Sequence, residues 1–372
     1  MKDREDEVRR ERRVTDRRVG ERRVEGRRAT DTRTTGEPPP RKKKRRLDPR
    51  KLDKRLAAGA AGAVAGSIAV VAGATGDAQP AKQAEGPPTD RPVKEHAAKV
   101  ADWDLTVTDH DRVDFFTEFL MGEKHDDTHL WLERVGKYGP MIRKELAARD
   151  MPQDLMYLTM IESGFDPNAY SHAHAAGLWQ FIEETGERYG LEVSEYVDER
   201  RDPVKSTGAA LTYLSDMHDR FGSWYLAAAG YNTGEGRVGR LMREITGTER
   251  GTDEQYWTIW DRLPRETRDY VPLMLAAGHI GKEPEKYGFD SLQLQEPFEF
   301  EEVIVPGGTK LEDVAQAAGA DVDAVRDLNP HLVKDMTPPD RTMPVRVPVG
   351  SAETAVNNLA MNAEVGETYR AD

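Results

Sequence analysis

The run from Leu155 to Ile161 is almost wholly apolar, and it lies between Pro152 and the pair Ser163-Gly164. A proline loses nothing at the first helical position, and glycine is the usual stop. The segment predicts a short helix buried on most sides. Helical spacing of apolar residues begins near Trp103 and continues to about Gly281, with Phe115–Met121 and Met141–Leu146 as clear stretches. Asp202-Pro203 opens a further helix with an N-cap and a first-position proline. That helix repeats apolar residues at Leu211, Leu214, Met217 and Phe221 and stops at Gly222.

One charged residue interrupts the buried helix. Glu162 lies in its last turn and, at ~100° per residue, shares a face with Leu155, Leu158 and Thr159. Desolvation on that face raises a carboxyl pKa, and so does the negative end of the helix dipole. A raised pKa suits a general acid that protonates a leaving oxygen near neutral pH. Taken alone, the residue reads equally as a surface glutamate at a frayed helix end.

Its surroundings narrow the choice. After Glu162-Ser163 come Gly177-Leu178-Trp179-Gln180, then Tyr231-Asn232, then Pro264-Arg265-Glu266-Thr267-Arg268-Asp269-Tyr270-Val271-Pro272. Each motif is weak alone, but four in this order across more than 100 residues are specific. Residues of about 128–282 resemble the soluble lytic transglycosylase domain, glycoside hydrolase family 23, in its membrane-bound lytic murein transglycosylase D branch. The resemblance implies a mainly α, lysozyme-like catalytic domain in which Glu162 acts as acid and then as base. It also implies that Ser163, Gln180, Tyr231 and Asn232 line a glycan groove, with Tyr270 near the carboxyl. From the residues alone, Trp179, Tyr231 and Tyr270 read equally as core aromatics, and Ser163 as a helix-end cap. Gln180 and Asn232 could satisfy backbone groups at Gly-rich turns. Gly230 stands where the family has alanine, which predicts slightly looser packing.

Glycosidases commonly pair two carboxyls. Asp166, Glu183, Glu184 and Asp202 are present, yet none has as apolar a setting as Glu162. Asp166 precedes a proline and reads as a turn cap, and the glutamates at 183 and 184 as a solvated helix face. The resemblance implies chemistry that needs one carboxyl. Glu162 protonates the oxygen between N-acetylmuramic acid and N-acetylglucosamine, and the substrate's acetamido group stabilises the cationic sugar. The carboxylate then takes the C6 hydroxyl proton, closing a 1,6-anhydro ring without water. The alternatives are a goose-type muramidase, which uses water, and a non-catalytic peptidoglycan-binding protein. No cofactor is expected, and His172 and His174 lack partners at metal-ligand spacing.

Residues 298–350 change pattern. Val303, Val305 and Met343–Pro348 read as strands, with helices between them. Thr309 and Glu312 predict a capping box for a helix through Ala318. Asp321 predicts the cap of a second helix that ends at Leu328-Asn329-Pro330. This βααβ unit resembles a LysM module, which binds N-acetylglucosamine-containing glycans. Its opening, Gly308-Thr309-Lys310-Leu311, departs from the usual Gly-Asp-Thr-Leu. Packing against the catalytic domain is the other role open to it.

Charge is divided along the chain. Residues 1–55 hold 23 Lys+Arg and 12 Asp+Glu, a net +11, whereas the whole chain carries −13. This basic block reads as a disordered cytoplasmic tail rather than a nucleic-acid-binding arm. Leu56 to Gly76 gives 21 residues without a charge, close to the ~20 that span a bilayer. Basic residues before it and acidic residues after it place its C-terminal end outside. It predicts an inner-membrane signal anchor, or a signal peptide cleaved near Ala74, with the enzyme on the periplasmic face. Residues 77–100 read as a linker, 101–290 as the catalytic domain and 351–372 as a polar tail. The chain has no cysteine, so it has no disulfide and no lipidated N-terminal cysteine.

Overall fold

The computed structural model describes residues 103–368, with side chains to Ala360. The N-terminal basic block, the uncharged 56–76 stretch and the linker lie outside these residues. Among the described residues, no helix is long and apolar enough to cross a membrane.

The chain enters through α1 (Asp111–Met121) and α2 (His125–Ala147). A 3₁₀ turn over Gln153–Met156 follows, then α3 (Tyr157–Ser163). Pro152 thus precedes a 3₁₀ turn rather than opening the α-helix directly, and the α-helix proper starts at Tyr157. Next come α4 (Glu183–Arg188), α5 (Pro203–Phe221), α6 (Trp224–Thr233), α7 (Glu235–Thr246), α8 (Asp253–Ile259) and α9 (Arg265–Lys282). α5 follows its sequence signals: Asp202 accepts from Val204 N and Lys205 N, and Gly222 ends it in the left-handed region.

α3 is the hub. Every residue from Tyr157 to Glu162 is buried, and α9 packs along the helix. Its end is fixed by shape. Gly164 has φ +59°, and a Cβ there would come within 2.0 Å of the Trp131 indole. Only glycine meets both demands. α9 contains Pro272, whose missing N–H leaves the carbonyl of Arg268 free. The Trp260 indole donates to that carbonyl at 2.8 Å, so the helix continues through the proline.

The loosening expected at Gly230 is absent. A Cβ there would lie 3.0 Å from the Phe221 ring and 3.3 Å from Met217 Sδ. Neighbours have closed over the glycine, so the helix packs tightly where alanine was expected.

From Asp290 the chain lies along α2, where Gln295 N donates to Glu133 O and Phe298 N to Lys137 O. It then forms β1 (Glu301–Val305), α10 (Leu311–Ala318), α11 (Val322–Leu328) and β2 (Met343–Val347). The strands pair antiparallel, with Val303 opposite Val345, and Asp321 caps α11. The predicted capping box does not form. The cap position of α10 is Lys310, one residue later than expected, and the Thr309 hydroxyl instead donates to Pro306 O. Residues 352–368 form α12 (Ala352–Thr368), and Ala355 is buried in the core of the small unit.

That core also takes in Val197 from the helical domain, which pairs with Leu332 as an isolated antiparallel bridge. Beside it, Arg346 Nη2 donates to both oxygens of Asp202, at 2.8 and 3.0 Å. Asn329 locks the arginine in place, accepting from Arg346 N and donating to Arg346 O. Asp202 is fully buried and Arg346 nearly so. Burial alone would raise the Asp202 pKa, but the charge of Arg346 and the neighbouring His331 hold it below the ordinary carboxylate value.

Candidate active site

Glu162 is 8% exposed. Its Oε1 accepts a 2.5 Å hydrogen bond from the Tyr270 hydroxyl, a partner 108 residues away. Burial pushes the carboxyl up to about 8; the Tyr270 hydrogen bond opposes the shift and the charge of Glu266 adds to it. The acid is therefore protonated at neutral pH. This is a carboxyl held neutral and oriented, ready to give its proton away.

Glu266 carried no assigned role in the sequence. It stands one turn before Tyr270 on α9, so the two residues share a helix face. Burial raises its own pKa as well. The i, i+4 spacing to Tyr270 was the signal available for it.

The other expected residues are held in different states. The Ser163 hydroxyl donates to Leu178 O at 2.8 Å and accepts from Asp166 N, tying the helix end to the 177–180 turn. The Tyr231 hydroxyl donates to Trp179 O at 2.7 Å, and its ring packs on Tyr213 at 5.0 Å between centroids. Trp179 is fully buried and donates to the Thr207 hydroxyl, as a core aromatic does.

Gln180 has φ +50°, a costly conformation for a residue with a side chain. Its Nε2 donates to Gly177 O and Ala169 O, while its Oε1 is buried without a partner. Asn232 Nδ2 is likewise buried and unpaired. A buried polar atom without a partner costs roughly 1–3 kcal/mol. One orphan acceptor and one orphan donor suit a ligand rich in hydroxyl and amide groups.

Asp166 accepts from Asn168 N in the expected turn, and Glu183 and Glu184 are exposed. Among the described residues, no cluster of His, Asp or Glu is arranged to hold a metal.

Residues 139–251 match the transglycosylase SLT domain, and residues 299–363 match the LysM-like domain of lytic transglycosylase MltD. The membrane-bound lytic murein transglycosylase D of Escherichia coli K12 is 36% identical over 242 residues, 64% of this chain and 53% of its own length. A tributyltin chloride resistance protein of an Alteromonas species, itself described as putative, is 40% identical over 31% of this chain and 57% of its own. The 70 kDa soluble lytic transglycosylase structure from Escherichia coli aligns over 48% of this chain and 32% of its own, with 20% identity and a TM-score of 0.35. The chain spans about half the length of the curated relatives it matches. Two separate stretches of the chain are thus similar to known families, one to the transglycosylase SLT domain and one to the LysM-like domain of lytic transglycosylase MltD.

Proposed function

We propose that the chain is a peptidoglycan lytic transglycosylase. It cleaves the β-1,4 bond between N-acetylmuramic acid and N-acetylglucosamine and leaves a 1,6-anhydro end. The observation that carries this reading is Glu162: buried, pushed up to about 8 and tethered through one oxygen by Tyr270. A protonated carboxyl of this kind protonates the bridging oxygen as the bond breaks. The cationic sugar is stabilised by the substrate's own acetamido group, so no second carboxylate need attack it. Once ionised, Glu162 takes the C6 hydroxyl proton and the ring closes. The carboxylate formed is least stable in an apolar site, which favours rapid return of a proton.

In this reading Gln180 Oε1 and Asn232 Nδ2 find their partners on the glycan, and Tyr231 forms part of the wall. Ser163 fixes the turn that holds Gln180. Tyr270 keeps the acid's rotamer. The protein works on the periplasmic face of the cell envelope, with residues 56–76 as its membrane anchor. Support for that location comes from the sequence of the stretch and from the membrane-bound relatives.

The test is mass spectrometry of peptidoglycan digested by the purified chain, beside Glu162→Gln. Anhydro-muropeptides from the native chain, lost in the variant, support the reading. Products heavier by one water make the enzyme a muramidase instead. Strands bound but uncut by both proteins leave a binding protein and overturn the enzymatic reading.

A further inference from the structure

Residues 177–181 form the turn that carries Gln180, and side chains from distant parts of the chain hold its carbonyls. Leu178 O accepts from the Ser163 hydroxyl, and Trp179 O accepts from the Tyr231 hydroxyl. Phe181 O accepts from Arg200 Nη1 at 3.2 Å, and the same nitrogen donates to His174 O at 2.9 Å. One guanidinium nitrogen thus joins both ends of the loop that presents Gln180. The peptide carbonyl of Arg200 abuts the turn as well. A Cβ on Gly177, whose φ is +82°, would come within 1.8 Å of it.

Arg200 is itself fixed. It is 4% exposed, and its Nε and Nη2 donate to the two oxygens of Asp198 at 2.8 and 2.9 Å. The planar fork matches the carboxylate with two parallel bonds, which sets the direction of the remaining nitrogen. Asp198 is anchored in turn, because its N–H donates to His331 O of the small unit at 2.8 Å. A buried ion pair contributes little net stability against its desolvation cost. What this pair does supply is direction: it aims Nη1 at two carbonyls.

Gln180 needs such a hold. Its φ of +50° is a strained conformation for a residue with a side chain, and strain persists only where the surroundings over-determine it. Its Oε1 is buried without a partner. A turn free to relax would let that oxygen find a donor within the protein.

We propose that Arg200 is a positioning residue for glycan cleavage. By clamping His174 O and Phe181 O, it keeps Gln180 strained, with its Oε1 free for the glycan. The proposal rests on the reading of Gln180 as a glycan contact.

The test is a double-mutant cycle in the full chain, read in kcat and KM on purified peptidoglycan strands. Arg200→Lys keeps the charge and loses the fork, so kcat/KM should fall about 10-fold, mainly through KM. In a Gln180→Ala background the same substitution should cost less than about twofold, because the residue it positions is gone. A merely structural role predicts equal losses in both backgrounds, and that result, or no loss from Arg200→Lys, overturns the proposal. Thermal melting shows whether the variant is folded. If Arg200→Lys is not, Asp198→Asn takes its place in the cycle, since it keeps the shape and weakens the fork. Strands left uncut by the native chain would sink the enzymatic reading alone. The cycle is then read by calorimetry as binding of an N-acetylglucosamine tetramer. Binding weakened by either substitution, and no further by both, supports the positioning role, and binding indifferent to Gln180→Ala sinks it.

Discussion

The hydroxyl of Tyr270 sits 2.5 Å from Oε1 of Glu162, joining the end of α3 to the first half of α9. The bond lowers the carboxyl pKa that burial raises, and the charge of Glu266, one turn away, raises it further. Two neighbours on one helix face thus tune the same acid in opposite directions.

This opposition gives paired expectations for the pH profile of kcat/KM. The native alkaline limb should lie near pH 8, where Glu162 loses its proton. Tyr270→Phe should move the limb upward and cut the rate at its optimum by roughly 10- to 100-fold, because the acid also loses its orientation. Glu266→Gln should move it downward with a smaller change in rate. Limbs that move together, or not at all, would remove both residues from the tuning of Glu162.

The same acid should leave a trace in stability. Its folded pKa is raised from 4.5 to about 8, so the fold binds a proton that the unfolded chain has released between those values. The sign is then fixed. The contribution of Glu162 to stability is full below pH 4.5 and is lost as pH rises toward 8. Unfolding in urea across that range should give a native slope steeper than that of Glu162→Gln, by at most about 1.4 kcal/mol per pH unit. Parallel slopes would mean that the carboxyl is not buried in solution as it is here.

Arg346 and Asp202 should be strongly coupled. Arg346→Ala leaves a buried carboxylate without its charge partner, at a cost of about 3–5 kcal/mol. Asp202→Ala removes the α5 cap as well, for about 1 kcal/mol more. The double variant should be far less destabilised than the sum of the two, and a double-mutant cycle measures the difference. Strict additivity would show that the pair is not formed.

Gly230→Ala sets two effects against each other. Alanine gains about 1 kcal/mol in helix propensity, while a Cβ forced against the buried Phe221 ring costs about 1–3 kcal/mol. The ring is fully buried and has little room to give, so thermal melting should show a net loss of about 1 kcal/mol. A net gain would show that Phe221 and Met217 can withdraw.

What the sequence disclosed and what it withheld follow the range of the forces involved. The helix end at Glu162, its glycine stop and the cap at Asp202 are local, set within a turn or two, and appear where the spacing puts them, whereas the start of that helix moves to Tyr157 behind a 3₁₀ turn. The Tyr270 contact spans 108 residues and came only from the order of motifs, and Glu266 escaped because its influence is a charge at a distance. Nothing in the sequence joined Asp202 to Arg346 across 144 residues. The capping box failed by one residue, because Thr309 was drawn into a turn by Pro306 O, a competition that periodicity does not register. At Gly230 the expected loosening fails because Phe221 and Met217, which local spacing does not place there, close over the glycine.

Asp202 serves two masters: it caps the start of α5 and receives the buried guanidinium of the small unit. Cutting the chain before residue 298 would therefore do more than remove the small C-terminal unit. It would uncover Val197 and strand a carboxylate at the root of α5. A truncated chain that is slow or short-lived would be reporting a wounded scaffold as readily as a lost unit.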